Sequence, residues 1–185
     1  MEECAFGFLR VNEREGKPRT RGLTEIRGPY YAPMGKRYLA DLLETMGAYV
    51  DTLKYAGGSF ALMPRPVVRE FNDLCHRHKV DVSTGGFLEY VLTQGPQAVD
   101  EYLAECRELG FDVVEISAGF VTLPRDDFVR LVQRVVEIGP KAKPEVGIRF
   151  GAGGASAVEA LEAERIRDVA RRSRSRAAVS TPAGA

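Results

Sequence analysis

Neither sign of charge is in excess in this sequence. Its 26 lysines and arginines are matched by 26 aspartates and glutamates, which removes the global field that draws a protein to nucleic acid or an anionic membrane. Local anion sites are untouched by that balance. No apolar run approaches the roughly 18 residues of a membrane span. Met1-Glu2-Glu3-Cys4 carries acids where a signal peptide has basic and apolar residues. Cysteine is scarce: Cys4, Cys75 and Cys106 are odd in number and show no CxxC spacing, which argues against a disulfide framework. Cys75 and Cys106 fall on apolar helix faces and are expected to pack as small hydrophobes, with a reducing cytoplasm as the setting. His76 and His78 stand about 200° apart on one helix, so they cannot share a metal and read as helix-surface residues.

What is present is a rhythm. Strand-like runs at Gly22–Ile26, Tyr49–Ala56, Val80–Ser83, Asp112–Ser117 and Glu145–Phe150 recur about every 30 residues, the length of one βα unit with its loops. Between them, apolar residues at helical spacing predict helices. Leu39, Leu42, Leu43 and Met46 mark the first; Val67, Val68, Phe71, Leu74 and Cys75 the second, opened by Pro64 and Pro66. Val99, Tyr102, Leu103, Cys106 and Leu109 mark the third, between Pro96 and Gly110. Phe128, Leu131, Val132, Val135 and Val136 mark the fourth, between Pro124 and Gly139-Pro140, and a weaker fifth is expected over Ser156–Val169. Repeated β-then-α order predicts a parallel α/β sheet with right-handed crossovers. Residues 1–20 read as a leader crossing one mouth, 21–170 as the (β/α) domain, and 171–185 as a disordered tail of basic and small residues. No aromatics interleave its arginines, so nucleic acid is not the expected partner.

Alternation along each strand sorts side chains between the helical layer and the concave face. The apolar parity belongs to the helices, which leaves Thr52 and Lys54, then Val113, Glu115 and Ser117, then Glu145, Gly147 and Arg149 facing inward. Buried charges need partners, so these must meet one another, a metal or a ligand. An internal ion-pair network of Lys54 and Arg149 with Glu115 and Glu145 is one outcome. A site is the other, because parallel barrels hold their active sites at the strand C-termini. Gly57-Gly58-Ser59 and Gly85-Gly86 follow two strands there, where backbone N–H groups cradle phosphate. The run Gly151-Ala152-Gly153-Gly154 lacks the lysine of a phosphate-binding loop, and Tyr30-Tyr31 could lid the mouth.

Several segments resemble phosphosulfolactate synthases: Gly22-Leu23-Thr24, Val50-Asp51-Thr52-Leu53-Lys54-Tyr55, Gly58-Ser59, Phe87-Leu88-Glu89-Tyr90, Glu105–Phe111, Val114-Glu115-Ile116-Ser117 and Glu145-Val146-Gly147. Lys17-Pro18-Arg19, Glu44-Thr45-Met46-Gly47, Leu62-Met63-Pro64 and Lys141-Ala142-Lys143-Pro144 are similar to the plant heat-stress-associated branch. Arg27-Gly28 and Ala118 depart from the synthase pattern of Leu-Asp and Asp. The resemblance implies a (β/α)8 TIM-type barrel of which about five units are present, and a carbon–sulfur lyase. Its implied reaction adds sulfite to phosphoenolpyruvate with Mg²⁺, toward coenzyme M. It implies Lys54, Glu115 and Glu145 as catalytic groups, and Lys54, Gly58, Ser59, Gly85, Ser117 and Arg149 as binders of the anionic substrates. Glu115 and Glu145 are the implied Mg²⁺ ligands, and one of them the alternative proton source.

Full-length relatives continue for further βα units, so a truncated or frameshifted gene is expected, or a half-barrel that dimerises. A barrel enzyme with another anionic substrate and a non-catalytic stress-associated protein or inactive fragment are the other functions the sequence allows.

Overall fold

The computed structural model describes residues 5–10, 13–28, 34–117, 121 and 123–145. The expectations for Cys4, Tyr30-Tyr31, Ala118, Val146–Phe150 with Gly147 and Arg149, the run Gly151–Gly154, the fifth helix and the tail lie outside the described residues.

Five short strands pair in parallel in sequential order: β1 Glu25–Arg27, β2 Thr52–Lys54, β3 Asp81–Ser83, β4 Val113–Ile116 and β5 Lys141–Pro144. Helices alternate with them: α1 Lys36–Met46, α2 Arg65–Arg77, α3 Leu88–Leu92, α4 Pro96–Leu109 and α5 Arg125–Ile138. Their ends follow from local chemistry. Pro96 opens α4 at a position where its missing N–H leaves no bond unmade. Gly110, at φ +80°, closes it by donating its N–H to Arg107 O. Asp126 and Asp127 put negative charge on the positive end of α5.

In β2 and β4 strand parity is as the alternation predicts. Leu53, Tyr55, Val82, Val114, Ile116 and Ala142 are fully buried against the helices. That layer also receives Leu39, Val68, Phe71, Cys75, Leu103 and Val132. Both buried thiols are pushed up to about 12, Cys75 and Cys106 alike by burial first, which suits packing rather than chemistry. One polar link crosses the layer: Tyr55 OH donates to Asn72 Oδ1, and Asn72 Nδ2 donates to Leu109 O, so no member is orphaned.

The opposite face curls inward. Edge strands of a flat five-stranded sheet stand roughly 19 Å apart, farther than a lysine and a glutamate together can reach. Yet Lys143 Nζ on β5 lies 2.8 Å from Glu25 Oε2 on β1. Lys54 on β2 likewise reaches Glu145 beyond β5 at 3.4 Å. The sheet is therefore bent as a barrel wall is, with charged side chains on its concave face.

Three local expectations are corrected. The fifth strand begins at Lys141, four residues before the apolar run that was expected to start it. Its lysines do not look like strand residues, but their partners Asp81, Glu25 and Glu115 make that parity inward. Met46, expected on the apolar face of α1, is exposed. The loop after β3 folds into a 3-10 turn, Gly85–Phe87, and the short α3, neither of which the periodicity announced. His76 is on the helix surface as expected, with Nε2 2.8 Å from Asp112 Oδ2.

Candidate active site

β2 and β4 flank β3, and Lys54 and Glu115 rise from the same face of the sheet across it. Lys54 Nζ lies 2.7 Å from Glu115 Oε2 and 3.4 Å from Glu145 Oε1. The two carboxylates differ in setting. Glu115 is 1% exposed, whereas the Glu145 side chain, just past β5, is 48% exposed. A second ammonium, Lys143, lies 3.2 Å from the same Glu115 Oε2 and donates to both oxygens of Glu25. Glu115 Oε2 thus meets both ammonium groups at ion-pair distance, while Lys54 also donates to Glu145 Oε1. Burial disfavours the Lys143 ammonium, but Glu25 and Glu115 outweigh it and hold its pKa above the ordinary lysine value. Lys143 escaped sequence reasoning. The signal was the Lys-x-Lys alternation at 141–143, noted above only for its likeness to the plant branch.

The loop after β3 forms the side of this cluster. A Cβ on Gly85, at φ +61°, would meet Tyr55 O at 2.1 Å and Lys54 Cε at 3.4 Å. One on Gly86 would meet Ser117 Oγ at 2.8 Å. Gly58, at φ +71°, abuts the Phe87 ring, where a Cβ would fall 2.0 Å away. These glycines are needed so that the strand-end loops can pack on one another, a different reason from backbone approach to phosphate. Gly58 and Ser59 thus stand at one remove from Lys54, beyond Phe87. Ser59 Oγ is buried with no hydrogen-bond partner among the described residues.

Ser117 Oγ donates to Glu89 Oε2 at 3.2 Å, and Val121 N donates to Glu89 Oε1 at 3.0 Å. Glu89 was also missed. It is buried at 4% exposure as the lone acid in the apolar stretch Phe87–Leu92, and that isolation was the available signal. The structure therefore brings together Lys54, Glu115, Glu145, Gly85 and Ser117, while Arg149 lies outside the described residues.

The described residues hold no group of three metal-ligating side chains, a number Mg²⁺ does not need where water and substrate oxygens complete its shell. Mg²⁺ takes carboxylate oxygens with free lone pairs, and Glu115 Oε2 is already approached by two ammonium groups that would repel it. Glu145 alone keeps a half-solvated carboxylate.

At the other end, residues 13–21 cross the N-terminal ends of the strands. Lys17 Nζ donates to Gly47 O and His78 O, and Arg19 donates to Asp51 Oδ1 and Ala48 O. Burial opposes ionisation of Asp51, but the Thr24 N–H and the guanidiniums of Arg19 and Arg14 hold its carboxyl below the usual range. A cleft of about 800 Å³ opens there along the concave face, lined by Glu25, Asp51, Thr52, Asp81, Lys141 and Lys143 among others. Among the described residues no helix is long and apolar enough to cross a membrane.

Comparison with known proteins gives this geometry a family. The protein HEAT-STRESS-ASSOCIATED 32 of Arabidopsis thaliana is 38% identical over 143 residues, covering 77% of this chain and 50% of its own. A phosphosulfolactate synthase of Methanothermobacter thermautotrophicus is 35% identical over 143 residues, covering 77% of this chain and 54% of its own. That of Methanocaldococcus jannaschii is 33% identical over 128 residues, covering 69% and 49%. The chain spans about half the length of these relatives. A family model described as (2R)-phospho-3-sulfolactate synthase matches residues 12–179, which takes in every strand described above. With its sequential parallel strands and its charged strand-end cluster, the chain belongs to the phosphosulfolactate synthase family.

Proposed function

We propose that this chain carries the first part of a lyase-type site that adds sulfite to phosphoenolpyruvate, giving phosphosulfolactate. The observation that carries the reading is the Lys54–Glu115 pair at the strand C-termini of a family member, with Lys54 turned toward the open mouth. Sulfite and phosphoenolpyruvate are both anions, so a cation must offset their repulsion before they meet. The sulfur lone pair then forms a C–S bond to the methylene carbon. The π pair moves toward the carboxylate, and a proton completes the adjacent carbon. Lys54 is placed to stabilise that displaced charge, as preorganised donors do. A carboxylate ion-paired to two ammonium groups is suited to hold them in place rather than to give a proton, so Glu115 is assigned to positioning Lys54. Substrate binding by Gly58, Ser59, Gly85, Ser117 and Arg149 belongs to the same reading, as does a cytoplasmic, coenzyme M-related role. No step is routed through Mg²⁺.

The test follows phosphoenolpyruvate and sulfite by ³¹P NMR with purified protein, in Mg²⁺ and in EDTA. Product formation that disappears in Lys54→Met is expected. Turnover unaffected by that change overturns the site assignment. Retention of turnover in EDTA removes the metal requirement that the family resemblance implies.

A second reading is favoured by one number. The stress-associated relative is 38% identical against 35% and 33% for the synthases. The same wall and ion-pair cluster would then serve another anionic substrate or none. A folded protein that turns over no sulfite supports this alternative.

A further inference from the structure

We propose that Glu145 is a displaceable stand-in for an anionic ligand, occupying Lys54 until a ligand's phosphate, sulfonate or carboxylate group replaces it. The inference rests on the reading of Lys54 as an anion binder, and adds what holds that site shut in the free chain. Among the described residues, the concave face and its rim carry Arg27, Lys54, Lys141 and Lys143 against Glu25, Asp81, Glu115 and Glu145. These charges balance. An incoming anion finds no surplus cation unless one of the acids moves aside.

Three of those acids are poorly placed to move. Glu115 is sealed at 1% exposure between Lys54 and Lys143, Glu25 is held through both oxygens by Lys143, and Asp81, though itself partly exposed, pairs with Lys141 at the N-terminal ends of the strands, away from Lys54. Glu145 differs in each respect. It stands after the last residue of β5, anchored by its backbone N–H to Ile116 O, with its side chain on the rim. Its hydrogen bond with Lys54 is long, 3.4 Å against the 2.7 Å ion pair to Glu115, and its carboxylate is half in water. Such a pair is weak and exchanges easily with solvent or with another anion. A carboxylate reaching one face of Lys54 Nζ, with the opposite partner buried, also marks the side from which a ligand anion approaches.

The experiment is calorimetric titration of inorganic phosphate, and separately of phosphoenolpyruvate, into the whole chain in EDTA at low salt. Glu145→Gln and Glu145→Ala are expected to bind roughly two- to fivefold more tightly than the parent, the worth of losing one exposed competing pair. Lys54→Met should bind neither anion, and the advantage of the Glu145 variants should shrink as salt is raised. Unchanged or weaker binding by both Glu145 variants overturns the proposal, as does the absence of binding by every form. Binding by Glu145→Gln that is lost only in Mg²⁺ buffer overturns it in favour of a metal ligand. Tighter phosphate binding without any turnover of sulfite leaves this inference standing and removes the proposed reaction.

Discussion

The two ends of the curved sheet both concentrate charge, and they use it differently. At the N-terminal end, Asp51 accepts from the Thr24 N–H, Arg19 and Arg14, while Lys17 and Arg19 cap backbone carbonyls at Gly47, Ala48 and His78. The side chains of Arg14, Lys17 and Arg19 each reach directed acceptors there, as a structural clamp requires. At the C-terminal end, Glu115 Oε2 is shared by two ammonium groups at ion-pair distance, Ser59 Oγ has no partner among the described residues, and Glu145 is half in solvent. Satisfied networks rigidify a fold, whereas partly satisfied ones mark places kept open for something else. The contrast makes one mouth a clamp and agrees with the site proposed at the other, the division known for parallel barrels.

The largest effect expected from breaking this contrast is at Asp51. Asp51→Ala leaves Arg19, whose side chain is only 6% exposed, without its carboxylate, and should cost about 3 kcal/mol of stability in urea denaturation. Because the folded Asp51 pKa lies below its unfolded value, its contribution is present above that value and is lost as pH falls through the folded one. The parent and variant melting temperatures should therefore converge in acid, below the ordinary value of 3.8. A variant as stable as the parent at pH 7 would erase the clamp.

Gly85→Ala comes next. Its Cβ would sit 2.1 Å from a main-chain oxygen in a left-handed conformation, and backbone cannot yield as a side chain can. A loss of about 2 kcal/mol is expected in thermal denaturation, with Gly86→Ala milder because Ser117 Oγ can rotate away. Equal tolerance of both would mean that the loop is looser than its contacts indicate.

Lys143→Met carries the smallest effect and sharpens the comparison most. Lys143 is a third exposed, so water weakens its pairs and about 0.5–1 kcal/mol is expected. Its folded pKa is raised, so its contribution is full below the ordinary value of 10.5 and is lost as pH rises through the folded one. The stability gap between parent and variant should persist at pH 8 and close in alkali, with Lys143→Arg retaining it. A gap independent of pH would trace the effect to packing of the lysine stem instead.

The legible part of this molecule is the part ruled by short-range repetition. Leu53 and Tyr55 against Thr52 and Lys54, or Val114 and Ile116 against Glu115, could be sorted to the correct faces because a strand alternates with period two. Pro96 and Gly110 bounded a helix for equally local reasons. Lys143 and Glu89 left only a local trace in the sequence, because what makes each tolerable lies elsewhere in the chain. Glu25 is 118 residues from Lys143, and Ser117 is 28 from Glu89. The start of β5 was misread for the same reason, since a lysine-bearing strand is a strand only when acids face it. The crowding of the glycines was illegible, because only the folded loops bring Tyr55 O, Ser117 and Phe87 against them.

Sequence by itself determined the βα order, the faces that β2 and β4 turn to their helices, and the presence of Lys54 and Glu115 on one concave side. Those are properties of neighbours along the chain, set by backbone periodicity and by the demand of helices for apolar partners. Tertiary structure alone decided which charges meet: how far the sheet curls, that Lys143 spans from β5 to Glu25 on β1, and that Glu115 is sealed while Glu145 stays wet. Coulomb energy depends on distance and on access of water, and both are set only when strands remote in sequence are brought within a few ångströms of each other.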